Sequence, residues 1–253
     1  MAVIGLLHPG AMGSAVGRCL VAAGHQVLWA SEGRGAETRA RAAAAALTDA
    51  GGIRALASQV DVLLSVCPPH AALEVARQVA AAGFTGTFVD ANAIAPATAR
   101  QIGTLLPHVV DGGIIGSPPA KPGSTRLYLS GDGAQAVAGL FAGSALDARV
   151  LDGPAGAASA LKMAYAAWTK GSSALLLMAR ALAQAEGVDA ALLAEWQSTG
   201  LDKQVAQAEA SAKDRGWRWV GEMEEIAASM AAHGLPEGFH RAAAKVYSSY
   251  PRP

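Results

Sequence analysis

The chain changes rhythm once, near residue 152, and that change limits what it can fold into. Before it, residues 3–7, 27–30, 62–66, 87–90, 109–111, 127–130 and 149–151 are short apolar runs that read as strands, and segments near 12–23, 36–47, 71–82 and 96–106 carry helical patterning. Strands that alternate with helices predict parallel βαβ units with right-handed crossovers. Past Asp152-Gly153-Pro154 no strand-like run occurs, and the pattern is helical to about Tyr247. Side-chain usage shifts at the same place: from residue 154 onward stand four of the five Trp and three of the four Tyr, but only 8 of the 29 Gly. The expectation is an α/β domain with a parallel sheet over 1–152, followed by an all-helical domain over 153–253. The first helix of the second domain, over about 155–186, would be ~45 Å long at 1.5 Å per residue. It is apolar on most faces, which in a soluble protein means burial between domains or subunits.

Composition excludes several classes. Hydrophobic residues make up 52% of the chain, with 60 Ala and 29 Gly, and 20 Lys+Arg balance 20 Asp+Glu. A disordered chain needs low hydrophobicity and high net charge; this one folds. Zero net charge without a Lys/Arg run offers no footprint for nucleic acid, so a small-molecule substrate is the expected partner. Cys19 and Cys67 cannot make a disulfide framework and read as thiols in a reducing compartment. The apolar run 2–7 is too short for a signal-peptide core and lacks a basic flank. No charge-free apolar stretch approaches the ~20 residues of a membrane span. The expected setting is the cytoplasm. The six His and the carboxylates show no metal-ligand spacing, so no metal is expected.

Directly after the first strand comes His8-Pro9-Gly10-Ala11-Met12-Gly13, which opens a helix. In a dinucleotide-binding βαβ unit, glycines in this turn let backbone N–H groups approach a pyrophosphate at the positive end of the helix dipole. Gly10 and Gly13 fit the second and third glycines of GxGxxG, and His8 stands in place of the first. A plain strand-to-helix turn is the alternative, but the motif follows a strand and precedes a helix, and a second strand comes about 18 residues on. That second strand ends at Ala30-Ser31-Glu32-Gly33-Arg34. An acidic residue here binds the ribose of NAD, whereas a small polar residue plus Arg accommodates the 2′-phosphate of NADP. Glu32 supplies the first signal, and Ser31 with Arg34 and Arg39 the second; the usual acidic position is uncharged, so NADP is expected and NAD is the alternative. Ser65-Val66-Cys67-Pro68-Pro69-His70 ends the third strand, where parallel sheets place ligand loops. Cys67 and Pro68 are therefore expected to line the cofactor, Cys67 as a small buried residue and not a nucleophile.

Four stretches, in order, resemble the β-hydroxyacid dehydrogenase superfamily, which includes 6-phosphogluconate dehydrogenase and the imine reductases. IGLLHPGAMG…AAGHQVLWA is similar to the family's IGFIGLGxMG…AGHxVxVxN. VDANAIAPATA, residues 89–99, is similar to VDxSTxxPxTA and puts Asn92 where a Ser near the nicotinamide stands. DGGIIGS, residues 111–117, takes the place of the substrate motif DAPVSGG, with Ile115-Gly116-Ser117 replacing Ser-Gly-Gly. GPAGAASALKMAY, residues 153–165, is similar to GxxGxGxxxKxxN: Lys162 aligns with the catalytic lysine, and Tyr165 stands where the family has Asn. The resemblance covers the first 165 residues. It implies a Rossmann domain followed by a helical domain, a nicotinamide cofactor, a site in the cleft between the domains, and a homodimer through the helical domain.

Lys162 can be reached from the residues alone. Positions three, seven and eleven after it share its helical face, and they are Tyr165, Thr169 and Ser173, a polar stripe on an apolar rod. A lysine in apolar surroundings suits a general acid; the alternatives are a lysine that reaches solvent or pairs with a carboxylate. Trp217-Arg218-Trp219 reads as a packed aromatic loop before a helix with Glu222, and Arg218 could clamp an anionic substrate. Lys121 and Arg126 are weaker candidates for that task. The expected function is an NADP-dependent reductase or dehydrogenase acting on C=O or the matching alcohol. Lys162, Tyr165 and Asn92 are its catalytic candidates, and Ile115, Gly116, Ser117, Thr169 and Arg218 line the substrate. Reduction of C=N is the alternative reaction, and a nucleotide sensor the alternative class.

Overall fold

A computed structural model describes residues 1–252. The chain runs β1 (Val3–Leu7), α1 (Ala11–Ala22), β2 (Gln26–Trp29), α2 (Ala36–Ala44), β3 (Thr48–Asp49), α3 (Ile53–Ala57), β4 (Val62–Ser65), α4 (Ala72–Ala81), β5 (Thr87–Asp90), α5 (Pro96–Gly103), β6 (His108–Gly116), β7 (Thr125–Ser130), α6 (Ala134–Gly139), β8 (Leu146–Val150), α7 (Ala157–Ala185), α8 (Asp189–Gln197), α9 (Leu201–Ala231) and α10 (Gly238–Ser248). The eight strands form one sheet in the order β3-β2-β1-β4-β5-β6-β7-β8. The chain falls into two compact units, Met1–Lys162 and the residues from Met163 onward. The boundary therefore lies inside α7, about ten residues past the Asp152-Gly153-Pro154 turn.

In the first unit the strands bury both faces, so nearly every position is apolar. Successive side chains alternate: Ile4, Leu6, Val27, Trp29, Leu64 and Val89 join one core with Val16 and Leu20 of α1. Leu7, Leu28, Leu63 and Phe88 join the other, with Leu56 of α3, Val75 and Val79 of α4, and Ile102 of α5. The sheet is doubly wound, and order reverses at β1, which pairs with β2 on one side and β4 on the other. One strand departs from the all-parallel expectation. β6 and β7 pair antiparallel, from Asp111 opposite Ser130 to Gly116 opposite Thr125, because the eight residues between them are too few for a crossover. β8 then runs parallel to β7. Sequence patterning also misses β3, α3 and α6, which are only two, five and six residues long. It stops β6 at Asp111, whereas Gly112 and Gly113 continue the strand to Gly116.

In the second unit, α9 buries Val205, Ala208, Ala212, Gly216, Met223 and Ile226, a stripe at helical spacing. Tyr247 of α10 is fully buried; its hydroxyl donates to the Lys170 carbonyl at 2.6 Å, and its ring meets Trp219 edge-on at 5.0 Å. Lys170 of α7 pairs with Glu222 of α9. Arg180 ties three helices by donating to Asp189 at 3.2 Å and to Glu209 at 2.6 Å. Trp217, Arg218 and Trp219, expected in a loop, lie inside the 31-residue α9. Among the described residues no helix is long and apolar enough to cross a membrane.

Candidate functional site

In an open α/β sheet ligands bind beyond the carboxyl ends of the strands, where strand order reverses. Here that point lies between β1 and β4, and the loop after β1 is His8-Pro9-Gly10. The first N–H groups of a helix have no intrahelical acceptor, and no side chain caps α1 at Gly10. A Cβ at Gly10 would meet nothing within 4 Å, so the turn presents bare backbone to open space. A Cβ at Gly13 would sit 2.5 Å from the His8 carbonyl oxygen, so this glycine is what lets α1 approach β1. Gly10 thus leaves the turn open, and Gly13 permits the close helix–strand approach. His8 adopts φ +64°, a left-handed conformation that costs a non-glycine residue ~1 kcal/mol or more.

Arginines surround this turn. Arg34 Nη2 lies 2.7 Å from His8 Nε2. Arg41 Nε donates to the Pro9 carbonyl at 3.2 Å, and Arg39 Nη2 to the Ser31 carbonyl at 3.0 Å. Glu32 is turned the other way, with its carboxylate close to Gly52. Of the two signals at the end of β2, the guanidinium is therefore the one beside the glycine turn. Burial first, then the Arg34 charge, lowers the His8 pKa to about 4, so His8 is neutral and its Nε2 accepts the arginine proton. The same pair leaves His8 Nδ1 and Arg34 Nε buried without an acceptor, each a cost of ~1–3 kcal/mol.

The next two strand ends are tied together by Asn92, which is buried. Its Oδ1 accepts the Cys67 backbone N–H. Its Nδ2 donates to Ser65 Oγ at 3.1 Å and to Asp90 Oδ2 at 2.8 Å. Both amide hydrogens are committed, so Asn92 holds the loop after β4 that carries Cys67 and Pro68. Burial pushes the Cys67 thiol up to about 12, which leaves it protonated and a poor nucleophile. Asp90, fully buried and opposite Asp111 in the register, is pushed up to about 7: burial is the main cause, offset by the Asn92 N–H groups and reinforced by Asp111.

Asp111, on β6, organises the start of α7. It accepts from Gly156 N at 2.9 Å, Ser159 N at 3.0 Å, Ser159 Oγ and Ser130 Oγ at 2.9 Å, and Ser130 Oγ accepts from Ala158 N at 3.0 Å. Two residues on, a Cβ at Gly113 would meet the Ala158 carbonyl at 2.7 Å and Lys162 Cβ at 3.0 Å. Lys162 therefore stands directly over Gly113, half-buried rather than enclosed. Ile115 is part of the core. Gly116, at φ +123°, is pressed against the Ser124 carbonyl, and the Ser117 carbonyl accepts from Thr125 Oγ1; both residues are exposed. In the second unit Tyr165 is exposed, Thr169 Oγ1 donates back to the Tyr165 carbonyl at 3.0 Å, and exposed Arg218 stacks on Trp217 at 4.9 Å. Among the described residues no three His, Cys, Asp or Glu side chains converge as a metal site needs.

Sequence reasoning did not single out Arg41, Ser65, Asp90, Gly113 or Ser159. The signal for Asp90 and Gly113 was present in the VDANAIAPATA and DGGIIGS stretches; Arg41 sits in an alanine-rich helix with no local signal.

A model for a domain of unknown function, DUF1932, matches residues 183–250, the end of α7 through α10. No curated protein matches the chain. Among solved structures it is similar to a conserved protein of unknown function described as resembling 3-hydroxyacid dehydrogenases, with 25% identity over 98% of this chain and 96% of that one, TM-score 0.72. The Mycobacterium tuberculosis 3-hydroxyisobutyrate dehydrogenase shares the fold at 19% identity, over 99% and 94% of the two chains, TM-score 0.74. So does a reductive aminase from Aspergillus terreus solved with NADPH and ethyl levulinate, at 22% identity, over 98% and 93%, TM-score 0.62.

Two predictions come from this geometry. Gly10→Ala should fold normally and lose on the order of tenfold in nucleotide affinity by titration calorimetry, whereas Gly13→Ala should lose ~1–3 kcal/mol of stability in denaturant unfolding. The second concerns pH. Between pH ~4 and ~7 folded Asp90 keeps a proton that the unfolded chain has released, so its contribution to stability fades as pH rises through that window. The Tm of Asp90→Asn relative to the native protein should therefore rise between pH 5 and 8, and a pH-independent difference would contradict the assignment. His8 runs oppositely: its neutral form contributes stability above pH 6.5 that is lost as pH falls toward 4.

Proposed function

We propose that this chain is an NADP-dependent oxidoreductase that carries out hydride transfer between the nicotinamide and a small carbonyl compound or the matching alcohol, with Lys162 as general acid and base. The observation that carries the reading is the grouping of His8, Arg34, Cys67 and Asn92 past the carboxyl ends of β1, β2, β4 and β5 around an uncapped helix N-terminus. Gly10 to Met12 would face the pyrophosphate, Arg34 the 2′-phosphate, and the Cys67-Pro68 loop, held by Asn92, the nicotinamide half. The cofactor, when bound, supplies or accepts the hydride.

The chain's own part in the chemistry is proton handling. As the carbonyl carbon is reduced, its oxygen gains charge and takes a proton from Lys162 Nζ; in the alcohol direction the amine takes it back. Asp111 fixes the first turn of α7 and Gly113 lets that turn lie close to β6, which sets where the lysine stands. Tyr165, three residues on, shares its helical face and is the second catalytic candidate. Reduction of C=N is the second reading, favoured by the replacement of Ser-Gly-Gly with Ile115-Gly116-Ser117 and by the likeness to a reductive aminase.

The test is NADPH with panels of ketones, hydroxy acids and cyclic imines. Lys162→Ala should keep nucleotide affinity and lose roughly 10²–10⁴-fold in kcat; a variant that keeps most of its turnover sinks the role. Tight nucleotide binding with no turnover on any panel identifies a sensor instead.

A second copy of the chain is the proposed partner. Trp168, Leu175, Met178 and Leu182 of α7 are exposed, and their spacing of seven, three and four is that of a helix–helix seam. Sedimentation should find a native dimer and a Leu175→Glu/Leu182→Glu monomer; a native monomer at micromolar concentration refutes the seam.

A further inference from the structure

At position 8 the glycine turn departs from its motif, and the departure is unfavourable by itself. A glycine would take φ +64° freely and would bury no imidazole. His8 takes that conformation against its side chain's preference and leaves Nδ1 without an acceptor. The side chain makes one hydrogen bond in return, to Arg34 Nη2 at 2.7 Å. We infer that His8 is a positioning residue that holds Arg34 beside the glycine turn and thereby sets the preference for a 2′-phosphorylated nucleotide over its unphosphorylated counterpart.

The geometry is selective in the needed way. An arginine on a loop samples many rotamers, and ordering it on binding would subtract from its contact with a phosphate. Anchoring one Nη2 hydrogen on an imidazole that belongs to the phosphate turn removes part of that cost and keeps the remaining N–H groups of the fork for an oxyanion. Neutral His8 is the form that can accept, since a protonated ring would have no lone pair and would repel the guanidinium; burial keeps it neutral down to about pH 4. Arg39 and Arg41 do not duplicate the task. Arg39 binds the Ser31 and Arg34 carbonyls, and Arg41 binds the Pro9 carbonyl, Thr38 and Glu37. Their hydrogens brace the backbone of the two loops, and Arg34 is the guanidinium held by a side chain of the turn. Arg34 Nε, buried without an acceptor, marks the same fork as incompletely satisfied by the chain alone.

This inference rests on the nucleotide reading above, and the experiment separates the two. Dissociation constants for NADPH and NADH are measured by titration calorimetry on the native protein, His8→Gly, His8→Asn, Arg34→Ala and the double variant His8→Gly/Arg34→Ala. The native protein should prefer NADPH. His8→Gly, which restores the motif glycine and removes the left-handed strain, should weaken NADPH relative to NADH by about tenfold, or about 1.4 kcal/mol. His8→Asn tolerates the same backbone and offers an amide oxygen to Arg34, so it should recover part of the preference and covers the case in which the glycine variant misfolds. In the double variant the losses should not add, because both act through one contact. Native protein that binds neither nucleotide overturns the cofactor reading and this inference together. Native protein that binds both alike, or a His8→Gly variant with the native ratio, overturns the inference alone.

Discussion

The arrangement of the catalytic candidate depends on one buried carboxylate. Asp111 is out of water in the middle of β6, where an uncompensated charge would be severely unfavourable, and it is met by four donors: two backbone N–H groups and two hydroxyls. The N–H groups belong to the opening of α7, so the helix dipole adds to the hydrogen bonds. Asp111 and Gly113 point to one face of β6, because they are two residues apart on a strand. Ser159 and Lys162 share one face of α7, because they are three residues apart on a helix. The carboxylate holds the first pair of positions against the second. Asp111 thereby sets the stretch of helix on which Lys162 stands over Gly113.

Asp90, opposite Asp111 in the register, shows what burial at the same level of the sheet does without that help. It pairs with Asp111 across the sheet, is equally buried, and receives two N–H bonds from Asn92. Two donors from one residue leave burial dominant, and its proton is retained to near neutrality. The two carboxyls thus do different work at one level of the sheet. Asp111 fastens a helix, while Asp90, through Asn92, fastens the loop after β4. Asn92, which the family resemblance assigns to the nicotinamide, has both amide hydrogens committed to Ser65 and Asp90 and acts in the fold by fixing backbone.

How much of this was legible in the sequence divides along physical lines. Strands buried on both faces announce themselves as apolar runs, so β1, β2, β4 and β5 were placed to within a residue or so. β3 was not, because a two-residue edge strand, Thr48–Asp49, has no periodicity to read. The end of β6 was missed because Gly112 and Gly113 look like a turn. In the fold they are strand residues whose missing side chains admit α7, as the 2.7 Å approach of a Gly113 Cβ to the Ala158 carbonyl requires. Trp217–Trp219 were misplaced for the converse reason: aromatic residues around an arginine carry no helical signature, and only the burial stripe from Val205 to Ile226 reveals the helix through them. The glycine turn was legible in its backbone roles, Gly10 open and Gly13 tight. The His8–Arg34 bond was not, since it joins residues 26 positions apart through a side chain that the motif does not contain.

That last gap bears on how departures from a motif are to be interpreted. A glycine fingerprint specifies what the backbone must do, and any residue that can be forced into the same φ satisfies it at some cost. When the replacement is alanine or serine, the cost has no visible return and drift is a sufficient account. When it is a histidine that turns its acceptor nitrogen onto an arginine past the neighbouring strand end, the strain and the contact occur in the same side chain and must be weighed together. A hydrogen bond to a charged donor contributes ~1.5–3 kcal/mol, which the left-handed penalty of ~1 kcal/mol or more and the two buried nitrogens left without an acceptor together offset or exceed, so the substitution brings folding no net gain. On the proposed reading, the return on that cost is the placement of Arg34 beside the glycine turn.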